Sequence, residues 1–254
     1  MSGPQIFTPE YYQRMRDLET HGWWNAAMRD IAALGLASAG LPAAGTLLDI
    51  GCGSGQTMSW FHRLYPSWRT IGADIAGDGV RAAHQGGHGL VCLGSALQLP
   101  FSSGSVQAAI TLDVLQHLPL EGGDLQALRE IHRVLAPGGV LLLRTNAQTV
   151  PRTPDDIAHQ FRRYTPPALR LRLTQAGFTV ERFGRVNALL GLAEIPRDLR
   201  ARRALNTSYT GLLAQPARSA GEPWKRAWLR LEGRLMMRGV PLPLGRTLIA
   251  VCRR

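Results

Sequence analysis

The chain has 254 residues, 45% of them hydrophobic and 19% charged, with a formal net charge of +11. That length allows one large domain, or one domain with an appendage, around a sizeable core, and the apolar content excludes a disordered or fibrous chain. The three cysteines, Cys52, Cys92 and Cys252, lie far apart with no CxxC pair, which excludes a disulfide scaffold and a zinc site and points to a reducing compartment. No signal peptide is visible at the N-terminus, and the longest weakly polar run, 31–48, is broken by Gly35, Gly40, Pro42 and Gly45, so a soluble, cytoplasmic protein is expected.

Helices are predicted over 8–20 and 23–37. Thr46 to Ile50 is a short apolar run that enters a glycine turn, the pattern of a buried parallel strand. A helix from about 55 to 65 stops at Pro66. A second strand over 70–74, a helix over 77–85, a third strand over 89–93 and a fourth over 106–112 follow. Leu125, Leu128, Ile131, Val134 and Leu135 mark one side of a helix over 122–135, which Pro137-Gly138-Gly139 closes before a fifth strand at 140–143. A helix near 166–176, a sixth strand over 178–183 and a last strand over 247–251 complete the series. This alternation predicts an α/β fold with a doubly wound, mostly parallel sheet, because parallel neighbours need a covering crossover. Residues 1–44 form an N-terminal helical arm and 45–186 the core, completed by 244–254. Residues 187–243 are an Arg-rich helical insertion before the last strand, with a turn-forming stretch at 206–221.

Charge divides the chain. Residues 1–150 hold 9 Arg against 11 acids, net −2, whereas 151–254 hold 19 Arg and one Lys against 7 acids, net +13. The C-terminal half is therefore suited to an anion: a phosphorylated substrate, an acidic membrane surface or a nucleic acid.

The glycine turn carries the chemistry. In Leu47-Leu48-Asp49-Ile50-Gly51-Cys52-Gly53-Ser54-Gly55, three glycines at alternate positions let a ligand lie against the main chain where strand becomes helix. Asp74, nineteen residues past Gly55 at the end of the second strand, is placed to accept hydrogen bonds from two ribose hydroxyls. The spacing is GxGxG, preceded by Asp49, and differs from the GxGxxG of a dinucleotide site, so it suits an adenosine without phosphates. No GxxxxGK[ST] sequence is present.

With these residues in place, the sequence resembles the class I methyltransferases that use S-adenosylmethionine. LLDIGCGSG is similar to that family's first motif and IGADIAG to its second-strand motif. GSALQLPF, ITLDVLQHLP and LREIHRVLAPGGVLLL resemble the segments around its third, fourth and fifth strands. The resemblance covers about 45–145, with a looser continuation through RRYTPPALRLRLTQAGF. It implies a Rossmann-like sheet of seven strands in the order 3-2-1-4-5-7-6, with the last antiparallel. It also implies methyl transfer from S-adenosylmethionine, leaving S-adenosylhomocysteine. The cofactor-site residues it implies are Asp49, Gly51, Cys52, Gly53, Gly55, Asp74, Ile75, Ser95, Ala96 and Asp113. Of these the glycines border the methionine part, Asp74 the ribose, and Ser95-Ala96 the adenine. Two departures stand out: Ser95 replaces an acid common in the family, and Gln116 stands where many relatives have Glu.

The remaining candidates have two readings each. His117, just past the fourth strand, is a candidate base, or a histidine packed beneath the next helix. His159, Arg162, Arg163 and Tyr164 form either a clamp for a substrate anion or a basic turn that caps a helix. Of the adjacent Trp23 and Trp24, one covers a pocket, or both pack on the core. Over 222–238, Trp224, Trp228, Leu231 and Leu235 share a stripe, with Arg226, Arg230, Arg234 and Arg238 around the other side. Such a helix rests on an anionic membrane or packs over the core. The fourth strand lacks a [DNS]PP[YFW] quartet and a following Pro-Cys, and no metal-ligand spacing is found, so metal assistance is not indicated. The expected reaction is transfer to an oxygen, or a carbon, of a small or lipid-linked, anionic metabolite, with the insertion as substrate lid. A basic RNA-binding protein or RNA methyltransferase and a catalytically silent cofactor-binding regulator are the rival readings.

Overall fold

A computed structural model describes residues 8–148, 161–192 and 223–254. Its centre is a sheet whose strands are apolar on both faces. Leu47 belongs to one core cluster and Leu48 to the other, and the same alternation separates Ala108 from Ala109 and Leu142 from Leu141. Successive side chains of a strand point to opposite faces, so both faces of such a sheet need a covering layer.

The strands are β1 (Thr46–Ile50), β2 (Arg69–Asp74), β3 (Val91–Leu93), β4 (Val106–Leu112), β5 (Leu135–Asn146), β6 (Thr179–Val186) and β7 (Thr247–Arg253). They lie in the order β3-β2-β1-β4-β5-β7-β6, as the resemblance implied. β7 runs antiparallel to both β5 and β6, and the other pairings are parallel. β5 begins earlier than the Pro-Gly-Gly signal predicts. Leu135 already pairs with Val106, and the chain then gains residues against β4 before Val140 pairs with Ala108. The glycines thus make a bulge inside the strand, with Gly138 at φ 74°, rather than a boundary before it.

The helices are α1 (Pro9–His21), α2 (Trp23–Ser38), α3 (Gln56–Leu64), α4 (Gly77–Gln85), α5 (Gly123–Val134), α6 (Pro166–Gln175) and α7 (Pro223–Met237). Thr8 starts α1 and Thr165 starts α6, each with its hydroxyl accepting a first-turn N–H and a proline following. One layer buries Ala127, Leu128, Ile131 and Val134 of α5 with Leu169 and Leu173 of α6. The other buries Ala27, Met28, Ile31 and Leu36 of α2, Trp60 and Phe61 of α3, and Leu229 and Met236 of α7.

The stripe of α7 is turned away from this core. The helix packs through Leu229, Glu232, Gly233 and Met236, and leaves Trp224, Trp228 and Leu231 exposed. Gly233 makes the packing close, since a Cβ there would stand 2.6 Å from Ile31 Cγ1. Gly233→Leu is expected to cost roughly 1–3 kcal/mol by overpacking, read as a lower denaturation midpoint. The turn-forming stretch 206–221, and most of the segment expected to form a lid, lie outside the described residues.

Candidate functional site

The site forms at the C-terminal ends of β1, β2 and β4, beside the point where the strand order reverses. In open α/β sheets, ligands bind in that crevice. Gly51, Gly53 and Gly55 all have positive φ (73°, 50° and 80°), so the turn needs residues without a Cβ. Side chains occupy the room this leaves at two of the three: a Cβ on Gly51 would collide with Val114, and one on Gly55 with His88. The N–H groups of Gly51 and Cys52 both donate to the Ala73 carbonyl, which ties the turn to the end of β2.

Asp74 is buried at that end. Its Oδ2 accepts from Gly53 N at 2.8 Å and its Oδ1 from Ala76 N at 2.9 Å. A third donor was not foreseen in the sequence: the hydroxyl of Tyr12, on α1, lies 3.4 Å from Oδ1. The Tyr12 ring is buried over Gly53 and Gly79, and burial beside the Asp74 charge pushes its phenol pKa up. Glu19, two turns further along α1, accepts from Ser54 Oγ at 3.3 Å, so the arm grips the glycine turn twice. Burial also raises the Glu19 pKa, against the pull of Ser54, Arg144 and Arg29. The i, i+7 spacing of Tyr12 and Glu19 was the available signal, since it sets both on one helix face.

Asp49 is buried beneath the turn, and its Oδ2 makes no hydrogen bond. Burial, with Glu19 and Asp74 nearby, pushes its pKa up to about 8. Cys52 is buried too, and its thiol is pushed up mainly by desolvation. Beyond β2, Ile75 is exposed, and Gly94 N donates to the Asp74 carbonyl at 2.9 Å. Ser95 and Ala96 are thereby brought alongside Asp74. The Ser95 hydroxyl accepts from Leu97 N at 3.2 Å, and Ala96 is buried.

Asp113 follows β4 with φ 60°, rare for a non-glycine residue. Its carboxylate pairs with both Nε and Nη2 of Arg144, at the end of the neighbouring strand. Arg144 in turn lies 4.9 Å from the Trp24 ring centroid, so Trp24 stands at the rim of the crevice. His117 sits in the 3-10 turn after β4, with its ring edge-on to Phe161 at 4.8 Å. Desolvation lowers its pKa, against the Asp113 charge, so its imidazole is neutral at neutral pH.

The basic cluster divides. Arg162 pairs with Asp124 and also donates to Tyr164 Oη and to the Pro119 and Leu120 carbonyls. Tyr164 donates to Asp124 Oδ2 at 3.2 Å. Both therefore join a network centred on the buried Asp124 of α5. Arg163 is half-buried beside them, and His159 lies outside the described residues. Among the described residues there is no group of three or more metal-ligating side chains, and no helix is long and apolar enough to cross a membrane.

Residues 48–143 match a methyltransferase-domain family. The chain is 35% identical over 103 residues to a tRNA (carboxymethyluridine(34)-5-O)-methyltransferase of Arabidopsis thaliana, covering 41% of this chain and 24% of the relative. It is 30% identical over 150 residues to trans-aconitate 2-methyltransferase of Azoarcus, covering 59% and 54%. The chain thus spans between about a quarter and about half of the length of these relatives. Its fold is similar to that of geranyl diphosphate C-methyltransferase from Streptomyces coelicolor, solved with S-adenosyl-L-homocysteine. The TM-score is 0.56 at 16% identity, covering 88% of this chain and 74% of that one. The chain has the Rossmann-like fold found in S-adenosylmethionine-dependent methyltransferases, and its residues 48–143 match the methyltransferase-domain family.

Proposed function

We propose that the protein transfers the methyl group of S-adenosylmethionine to an oxygen, or next to that a carbon, of a small or lipid-linked anionic metabolite in the cytoplasm. One observation carries the cofactor assignment. A turn of three positive-φ glycines ends on the Asp74 carboxylate, which accepts from Gly53 N, and lies over a buried Asp49 oxygen that has no hydrogen-bond partner. Such a turn fits a nucleoside, and the unpartnered carboxyl fits a cation. When bound, the cofactor supplies a sulfonium methyl already activated for in-line displacement. What remains for the protein is to hold the acceptor at attack distance, exclude water and take up a proton.

Asp74 would hold the ribose diol, with Ile75, Ser95 and Ala96 beside the adenine and the glycine turn along the methionine part. A carboxylate offers about four acceptor positions. Gly53, Ala76 and Tyr12 use three, and a diol brings two donors, so the Tyr12 hydroxyl has to yield. Tyr12→Phe is therefore expected to tighten S-adenosylhomocysteine binding by up to about tenfold, the worth of one net hydrogen bond. Titration calorimetry of the two proteins checks it, and weaker binding by the variant would make Tyr12 a ligand of the cofactor.

Asp49 supplies a second expectation. With its pKa pushed up to about 8, it is protonated at pH 7, and an ammonium or sulfonium beside it lowers that pKa. Binding then releases a proton, and affinity rises with pH up to about 8. Calorimetry at pH 7 in buffers of different ionisation heat measures the release, which Asp49→Asn should abolish.

For the transfer itself, the neutral His117 is proposed as the base. As the acceptor oxygen takes the methyl group that the cofactor would supply, a ring nitrogen of His117 would take up the hydroxyl proton. Arg163 and His159 are the remaining candidates for the acceptor's anionic group. The substrate class is supported by the basic C-terminal half and by the prenyl diphosphate acted on by the similar Streptomyces enzyme. Methylation of RNA is a second reading, which the tRNA methyltransferase relatives favour. The first test is titration with S-adenosylhomocysteine, where no binding by the folded protein removes both readings. Labelled S-adenosylmethionine with carboxylate, prenyl-phosphate and RNA acceptors then separates them.

A further inference from the structure

We infer that α7 docks the protein on an anionic lipid bilayer. At about 100° per residue, the helix divides into three sectors. Leu229, Glu232, Gly233 and Met236 face the core, where Glu232 accepts from Ala188 N, Leu189 N and Trp228 Nε1. Trp224, Trp228 and Leu231 form the second sector, 58%, 39% and 44% exposed. Arg226, Arg230 and Arg234, with Arg238 just past the helix end, make up the third, all exposed, and among the described residues only Arg226 is drawn onto an acid, Asp30.

An apolar stripe edged by arginines is costly in water and matches a surface that is oily beneath and negative on top. Indole rings settle at that boundary and guanidinium groups pair with lipid phosphates above it. Charge complementarity selects an anionic bilayer, because the one acid on the helix is turned inward and the outward face is cationic. The apolar surface continues past Trp228, since Leu189 is held by Glu232 and both Leu189 and Leu192 are exposed.

The placement has a further meaning. Lys225 Nζ lies 5.4 Å from the Trp23 ring and 5.6 Å from the Trp224 ring, which joins the start of α7 to the start of α2. The next residue of α2, Trp24, stands over Arg144 at the rim of the crevice. A bilayer that receives Trp224 therefore lies beside the mouth of the site. This consequence rests on the proposed lipid-linked acceptor, whereas the docking does not.

The test is co-sedimentation of the full chain with phosphatidylcholine vesicles, with and without roughly one third phosphatidylglycerol. Trp224→Ser with Leu231→Ser removes exposed apolar groups outside the buried face of the helix, and Arg230→Glu with Arg234→Glu reverses the charge. Wild type is expected to bind the anionic vesicles at least tenfold better than the neutral ones, and each double variant to lose at least tenfold. S-adenosylhomocysteine affinity and the melting midpoint, measured on the same samples, should stay at wild-type values, which separates lost docking from lost folding or a failed cofactor assignment. Equal binding to both vesicles, or anionic binding that survives the serine pair, overturns the proposal. Wild type that elutes as a dimer while the serine pair elutes as a monomer also overturns it, and assigns the face to a second copy of the chain.

Discussion

Asp74→Ala is expected to weaken S-adenosylhomocysteine binding by at least about a hundredfold. Two hydrogen bonds from a ribose diol to a charged carboxylate are worth roughly 1.5–3 kcal/mol each, and about 1.4 kcal/mol is a factor of ten. The variant also strands the N–H groups of Gly53 and Ala76, which now donate to Asp74. Asp74→Asn is the companion, because its amide oxygen keeps one of those bonds while the charge is gone. Calorimetric titration and a melting curve read both variants. Wild-type affinity in a folded Asp74→Ala protein would place the nucleoside elsewhere.

A comparably large effect on stability is expected at Asp124. Its carboxylate is buried and meets Arg162, Tyr164 Oη at 3.2 Å and Arg172 Nε at 3.4 Å. Removing one partner of a buried pair leaves the other charge uncompensated and costs roughly 3–5 kcal/mol. In a chain of this size that lowers the melting midpoint by roughly 6–20 °C. Asp124→Ala, followed by differential scanning calorimetry, checks it. A variant that melts like wild type would return Arg162 and Tyr164 to the pool of groups free to meet a substrate.

The crevice around Asp74 was legible in the sequence because its signals are local. Alternate glycines after an apolar run, and an acid after the next strand, need only the chain's own order to be placed. Tyr12 could not be found that way, for it reaches Asp74 across 62 positions and nothing in the arm names its partner. Arg162 and Tyr164 show a second limit. A guanidinium suited to a substrate anion is equally suited to Asp124, and composition cannot tell the two apart. On α7, periodicity located the apolar stripe correctly but not its destination. Gly233 carries no hydrophobic signal, yet it lets Ile31 approach, and so the core took a different face of the helix. The bulge at 136–139 was hidden for a related reason, since Pro-Gly-Gly breaks regular structure whether it ends a strand or lies within one.

The position of β7 between β5 and β6 bears on how the protein is made. Translation delivers this strand after the other described elements, yet it fills an inner slot of the sheet and pairs along its length with both neighbours. On the ribosome, β1 to β5 can assemble while β6 waits without any neighbour to hydrogen-bond, its edge and that of β5 open to wrong pairings. A nascent chain of this kind depends on whatever shields those edges until residue 253 has emerged from the exit tunnel.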